Sequence, residues 1–368
     1  MASIAALRTH RVSVPLRRPF VTSVRRATTL DALLVEAVDS DGRRGWGEAA
    51  LSWRVTGESA ASAEAVVAGP FREAILGRPV EEPEGTGLAL AAAAAGNTAA
   101  RAAVDAAVWD LAAQQRGVPL HRLLAGSAAS AGAVSIGTDM TISAVDEATA
   151  LRDAEQHVAA GFTTLKVKLG LDPARDDRVL RAIRRGPAAP ARLRVDANQG
   201  WSAAAAIRLI RGWEDDGLDV ELVEQPTSAE DIDALAEVAA AVRTPVLADE
   251  SVWGMRDLRE VVRRRAADLV NVKLAKTGGI TAARRLVALA AAEGVGVLVG
   301  GMLESIVGVA AAAHLAAAVA PERVHDLDAG LWLAGEVATG EVRYAADRIL
   351  IPDVPGIGVA GLATGVAA

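Results

Sequence analysis

The 368-residue sequence contains no cysteine, which excludes disulfide cross-links, a thiolate nucleophile and any cysteine-ligated zinc site. Aromatic residues make up only 3% of the chain, so its core must rest on aliphatic packing. Positive charge is in deficit: a net charge of -7 argues against a nucleic-acid surface, where a basic stripe is expected. No apolar run is long enough to span a membrane. The nearest, "LALAAAAAGNTAARAAVDAAVWDLAAQQRG", is interrupted by Asn97, Arg101, Asp105 and Asp110 and reads as an alanine-rich helix pair. The opening "MASIAALRTHRVSVPL" lacks the apolar centre of a signal peptide, so a cytoplasmic protein is expected.

What the chain does contain falls into three regions. Up to about residue 50 it alternates as strands: "THRVSVPLRRPF", "ALLVEAVDS" and "GRRGWGEAAL", with the turn residues of "DSDGRRG" between the last two. From about 58 to 123 it reads as helices, and "AGSAASAG" (125–132) has the composition of a linker. Beyond it, short apolar strands alternate with amphipathic helices. The strands are "VSIGTDMTI", "TLKVKLG", "RLRVDAN", "DVELVEQP", "PVLADES", "DLVNVKLA", "VGVLVGG" and "RVHDLDAG". Eight such strands with intervening helices predict a parallel β/α barrel.

The strand ends carry a ladder of residues, Thr141, Lys168, Asp196, Glu224, Asp249, Lys273, Gly301 and Asp328, spaced 24 to 28 residues apart, close to one β/α unit each time. In such barrels the strand C-termini converge on one mouth, so these side chains are expected in a single site. Asp196, Glu224 and Asp249 come from three consecutive strands. Converging carboxylates repel unless a cation lies between them or some are protonated. Oxygen-only ligation suits Mg²⁺, with Mn²⁺ as the variant the same donors accept; no histidine falls on the ladder to favour zinc.

"TTLKVKLG" places Lys166 and Lys168 on one strand face. Lys168 ends the second strand and Lys273, in "NVKLAKTGG", the sixth, so in a ring of eight they lie across the mouth from each other. An amine on each side can remove and return a proton at one carbon, provided a metal-held carboxylate stabilises the enediolate that forms. Lys166 is expected to lower the pKa of Lys168 by like-charge proximity and to help hold a substrate carboxylate.

"KVKLG", "VDANQGW", "VEQP", "ADES", "NVKLAKTGGI" and "GGMLES", in this order and spacing, resemble the muconate-lactonizing subgroup of the enolase superfamily, over essentially the whole chain and including "GWGEA". The resemblance implies an α/β fold, a modified (β/α)₇β TIM-type barrel with an α+β capping domain built from both chain ends: 1–125 in the cap, 126–328 in the barrel, 329–368 returning to the cap. It places metal ligands on Asp196, Glu224 and Asp249 and the acid/base pair on Lys168 and Lys273, and it implies a homo-oligomer. The mandelate-racemase subgroup uses a histidine after the seventh strand, and "VLVGGML" has none there.

The subgroup includes cycloisomerases, o-succinylbenzoate synthases, N-acylamino acid racemases and dipeptide epimerases. "HDLDAG" discriminates among them. Asp326 and Asp328, two apart on the eighth strand, are expected to point together into the mouth, where they attract an ammonium group and repel a second carboxylate. A dipeptide offers one carboxylate and one ammonium; muconate, succinylbenzoate and N-acylamino acids do not. The pair is also similar to the Asp-x-Asp signature of dipeptide epimerases, while His325, on the opposite face, is expected to pack. In "RRPFVTSVRRATTL" most arginines read as solvated charges, but Arg25 matches the arginine that meets the acidic side chain in Ala-Glu epimerases. Thr141 and Asn198 match family positions that line the substrate site, and Gly301 would let backbone approach a ligand. The expectation is a Mg²⁺-dependent dipeptide epimerase, with N-acylamino acid racemase, o-succinylbenzoate synthase or muconate cycloisomerase as the alternatives in the same class and a non-catalytic peptide-binding barrel as the alternative outside it.

Overall fold

The computed structural model describes residues 2–126, 132–186 and 188–364. Most of the expected linker therefore lies outside the described residues. The chain opens with an antiparallel three-stranded sheet, β1 (Ile4–Val21), β2 (Arg26–Asp39) and β3 (Arg44–Ala50). The β2–β3 turn is closed by Asp39, whose Oδ1 accepts the backbone N–H groups of Asp41 and Arg43. On this sheet lies the helix Thr98–Gln115, buried almost all round. The small residues explain the fit. A Cβ on Gly47 would stand 2.0 Å from the Ala103 carbonyl oxygen, so the glycines of "GWGEA" and the alanines of the helix are two halves of one close approach.

The barrel strands follow: β4 (Val134–Thr138), β5 (Met140–Ile142), β6 (Thr164–Lys168), β7 (Arg192–Asp196), β8 (Val220–Glu224), β9 (Val246–Ala248), β10 (Leu269–Lys273), β11 (Gly296–Gly300) and β12 (Val324–His325). Strands β5 to β11 form one parallel sheet in chain order. The ring closes because β4, broken from β5 only at Asp139, pairs in parallel with β12, and a bridge joins Gly300 to Asp326. Register sets the chemistry: Lys168 pairs with Asp196 and Asp196 with Glu224, so one row of neighbours carries lysine, aspartate and glutamate. Below that row, Leu222, Leu247, Leu269 and Leu298 from four adjacent strands plug the barrel as a separate apolar cluster. The remaining strands, β13 (Ala338–Gly340), β14 (Arg343–Ala345), β15 (Arg348–Ile351) and β16 (Val359–Leu362), belong to the C-terminal segment. It touches the barrel through β15, antiparallel to β4, and the N-terminal region through a Pro119–Gly356 bridge.

Every residue of strand β6, from Thr164 to Lys168, is buried. One expectation is corrected. The eighth strand ends at His325, so Asp326 and Asp328 do not alternate along one strand; Asp328 already has helical backbone angles and opens the 3₁₀ turn Ala329–Trp332.

Candidate active site

Lys168, Asp249, Lys273, Asp326, Asp328, Thr141, Asn198, Arg25 and Gly301 line one cavity at the strand C-termini, with Phe20 and Trp332 in its wall. Asp196 and Glu224 lie directly beneath, 0% and 1% exposed. The chain leaves β7 and β8 abruptly, through left-handed backbone at Asn198 (φ 40°) and Gln225 (φ 36°). Non-glycine residues adopt this conformation at a cost, and here it turns the mouth loops over the carboxylates. Asn198 donates its backbone N–H to Asp196 Oδ1 at 2.8 Å, and Gln225 Oε1 accepts the N–H of Asp249 at 2.9 Å.

Every buried lysine has a carboxylate partner. Lys168 Nζ is 2.6 Å from Asp196 Oδ2, and Lys273 Nζ is 2.7 Å from Asp249 Oδ2. Lys166 Nζ, 1% exposed, sits among Asp196 (3.0 Å), Glu224 (2.7 Å) and Asp326 (2.7 Å). It therefore reaches the carboxylate cluster rather than the cavity wall. Burial favours the neutral lysine, but the surrounding carboxylates outweigh it and hold both Lys166 and Lys273 above the ordinary lysine value. In the same way burial works against the ionised Asp249, yet Lys273 and Lys276 hold it well below the usual carboxylate range. Glu224 goes the other way: burial and the Asp196 charge push it up to about 8. Glu250 is pushed up to about 7 by burial and Asp249.

Those values bear on metal binding. Among the described residues, no three acidic or histidine side chains converge on one metal position, because the acid oxygens are turned to lysine ammonium groups. The donor chemistry nonetheless fits a hard divalent cation. Asp196, Glu224, Asp249, Glu250, Asp326 and Asp328 are met here by only four lysines, Lys166, Lys168, Lys273 and Lys276, which leaves two carboxylates in excess. Glu224, raised above the usual carboxylate range by burial and the Asp196 charge, shows where positive charge is short.

The two aspartates after β12 are held differently. Asp326 Oδ2 accepts from Lys166, while Asp328 Oδ2 accepts the Thr141 N–H at 2.8 Å and the Trp332 indole N–H at 3.0 Å. Asp328 is raised by burial and the charge of Asp326. His325 packs as expected, accepting from the Val299 N–H and contacting the Ala320 carbonyl. Arg18 is not a solvated charge: it pairs with Asp153 at 2.5 Å and His157 at 2.7 Å and lies over the Trp332 ring. Arg25 makes no ion pair among the described residues; its guanidinium donates to Ser52 Oγ at 3.5 Å, and burial lowers its pKa.

Sequence reasoning missed several supporting residues. Asn271 Nδ2 donates to Glu224 at 2.9 Å, and strand alternation could have found it, two residues before Lys273. Lys276 Nζ, 2.5 Å from Asp249 Oδ1, could not be found that way, because a helix begins at Leu274 and alternation ends. The free volume of the cavity is about 70 Å³, far below the roughly 300 Å³ at which small-molecule pockets begin.

Comparison with known proteins agrees with this fold. Residues 4–125 match the mandelate racemase / muconate lactonizing enzyme N-terminal domain, and residues 149–361 the enolase C-terminal domain-like family. An L-Ala-D/L-Glu epimerase from Bacillus subtilis is 38% identical over 98% of this chain and 97% of its own. Its substrate-liganded structure superposes with a TM-score of 0.94 at 38% identity, covering 98% of this chain and 99% of that one. A dipeptide epimerase from Enterococcus faecalis, complexed with Mg and L-Leu-L-Tyr, gives 0.92 at 31% identity over 97% and 99% of the two chains.

Proposed function

The chain belongs to the mandelate racemase/muconate lactonizing enzyme family, and we propose that it is a Mg²⁺-dependent epimerase that inverts the α-carbon of the C-terminal residue of a dipeptide. One observation carries the reading: Lys168 and Lys273, on strands four apart in the ring, line the same cavity as Asp326 and Asp328. A substrate whose ammonium group lies at the aspartates and whose carboxylate lies over Asp196, Glu224 and Asp249 has its α-carbon between the two amines. One lysine takes the α-proton, the other delivers a proton to the opposite face, and the configuration inverts. Asp196, Glu224 and Asp249 would hold Mg²⁺, or Mn²⁺ with the same oxygen donors. When bound, the cation offsets the negative charge that develops on the substrate carboxylate. Asp249 and Glu224 hold Lys273 as the ammonium, and engaging those carboxylates elsewhere would let Lys273 serve as a base.

The cluster disfavours dianionic and N-acyl substrates, which bring no ammonium to Asp326 and Asp328. Arg25, facing the cavity without an ion pair among the described residues, suits an acidic side chain at the reacting residue and supports an Ala-Glu type of substrate. The test is a dipeptide library incubated with the Mg²⁺-loaded protein in D₂O. L-Ala-L-Glu and related dipeptides should gain one mass unit with formation of the diastereomer. A protein that binds dipeptides and exchanges no α-proton is a binder, and the reading fails.

A further inference from the structure

We propose that Trp332 is a positioning residue that fixes Asp328 for the substrate ammonium group and thereby sets the preference for a free N-terminus; this rests on the dipeptide reading above. Trp332 ends the 3₁₀ turn that Asp328 opens and is 2% exposed. Its Nε1–H donates to Asp328 Oδ2 at 3.0 Å, and the Thr141 N–H donates to the same oxygen at 2.8 Å. Two donors on one oxygen, with the Thr141 side chain as a further partner of the carboxylate, set its plane in the wall of the cavity that both residues line.

The indole is itself clamped. The Arg18 guanidinium lies 4.8 Å from its ring centroid, and Phe20 meets it edge-on at 5.0 Å. Arg18 is in turn pinned by Asp153 and His157 on the helix Glu147–Ala159. A phenyl ring is smaller and would fill less of this buried place. The N–H is what a phenyl ring cannot supply.

The test compares Trp332→Phe with the unaltered Mg²⁺-loaded enzyme, after thermal unfolding confirms that both fold. For L-Ala-L-Glu, KM should rise about tenfold and kcat stay within about threefold, the pattern of lost binding to a charged group. The inhibition constant of the N-acetylated dipeptide, which carries no ammonium, should be unchanged. A fall in kcat with KM constant, or equal weakening for both ligands, overturns the proposal. A crystal structure of the variant gives a second readout, in which the Asp328 carboxylate should have turned from its position on the Thr141 N–H. An unmoved Asp328 overturns the proposal whatever the kinetics. If the unaltered enzyme exchanges the α-proton of no dipeptide, it is the dipeptide reading that fails, and the orientation of Asp328 in the variant still decides this one.

Discussion

At the scale of single residues the two lysines proposed as the acid/base pair, Lys168 and Lys273, are chemically alike and would differ by the face they serve. Replacing either with methionine should abolish epimerisation, by roughly a thousandfold or more. Each variant should still exchange the α-proton of the one diastereomer whose proton faces the remaining lysine. Deuterium uptake followed separately for L-Ala-L-Glu and L-Ala-D-Glu checks this, and equal uptake from both isomers in either variant would refute the two-sided arrangement. Arg25 belongs to this scale as well. In Arg25→Met, KM for L-Ala-L-Glu should rise about tenfold or more while dipeptides with an apolar second residue are unaffected or improved, since a hydrogen-bonded charge is lost only to the acidic side chain. The two lysines were legible because strand alternation fixes a side chain's face, whereas Arg25, between β1 and β2, was found through the family resemblance. Asp328 was legible as a residue of the barrel mouth but not in its conformation, because it lies past the end of its strand and tertiary hydrogen bonds from Thr141 and Trp332 hold it.

Between elements, buried polar groups stitch the N-terminal region to the barrel. Glu48 on β3 accepts from the N–H groups of Ser305 and Gly308, capping the helix Ile306–Val319, and Asp105 accepts from Thr281 at the start of Ile280–Ala292. These helices follow the strands that present Gly301 and Lys273. Asp105→Ala should cost about 3 kcal/mol, because Thr281 loses its partner in a buried place; chemical denaturation measures it. His314, on the same helix as the Glu48 cap, accepts the His121 N–H at 2.9 Å. Burial and His121 push it down to about 3, below the ordinary histidine value. The unfolded chain then binds the extra proton, so the stability this group contributes is present above about pH 6.5 and lost as pH falls toward 3. In His314→Gln that limb should flatten by about 1.4 kcal/mol per pH unit, and unfolding curves between pH 7 and 4 check it. Asp105 and Asp110, both raised to about 6 chiefly by burial, act with the opposite sign, their contribution being present below about pH 4 and lost as pH rises through 6. None of these contacts could be seen in the sequence. The caps join residues more than 170 positions apart, and a buried aspartate on a helix reads as an ordinary surface charge until its partner is known.

For the whole molecule, the excess of carboxylates in the barrel mouth couples function to stability. Mg²⁺ should raise the unfolding temperature in a concentration-dependent way, as a ligand of the native state does, and Glu224→Gln should reduce that shift sharply. EDTA should remove turnover while the far-ultraviolet circular dichroism stays the same, because the barrel is held by its apolar layers and not by the cation. Calorimetry with and without Mg²⁺ tests both statements. No helix among the described residues is long and apolar enough to cross a membrane.

The sequence by itself determined the barrel, the ladder of strand-end residues and their chemical kinds, because a β/α period of 24 to 28 residues and two-residue alternation are local properties that survive without coordinates. Only the tertiary structure decided which lysine meets which carboxylate, that Lys166 is buried among three of them, and that Arg18 and Trp332 brace Asp328 from outside the ladder. Those pairings depend on strand register, ring closure and the return of distant segments, and long-range contacts of that kind leave no period in the chain.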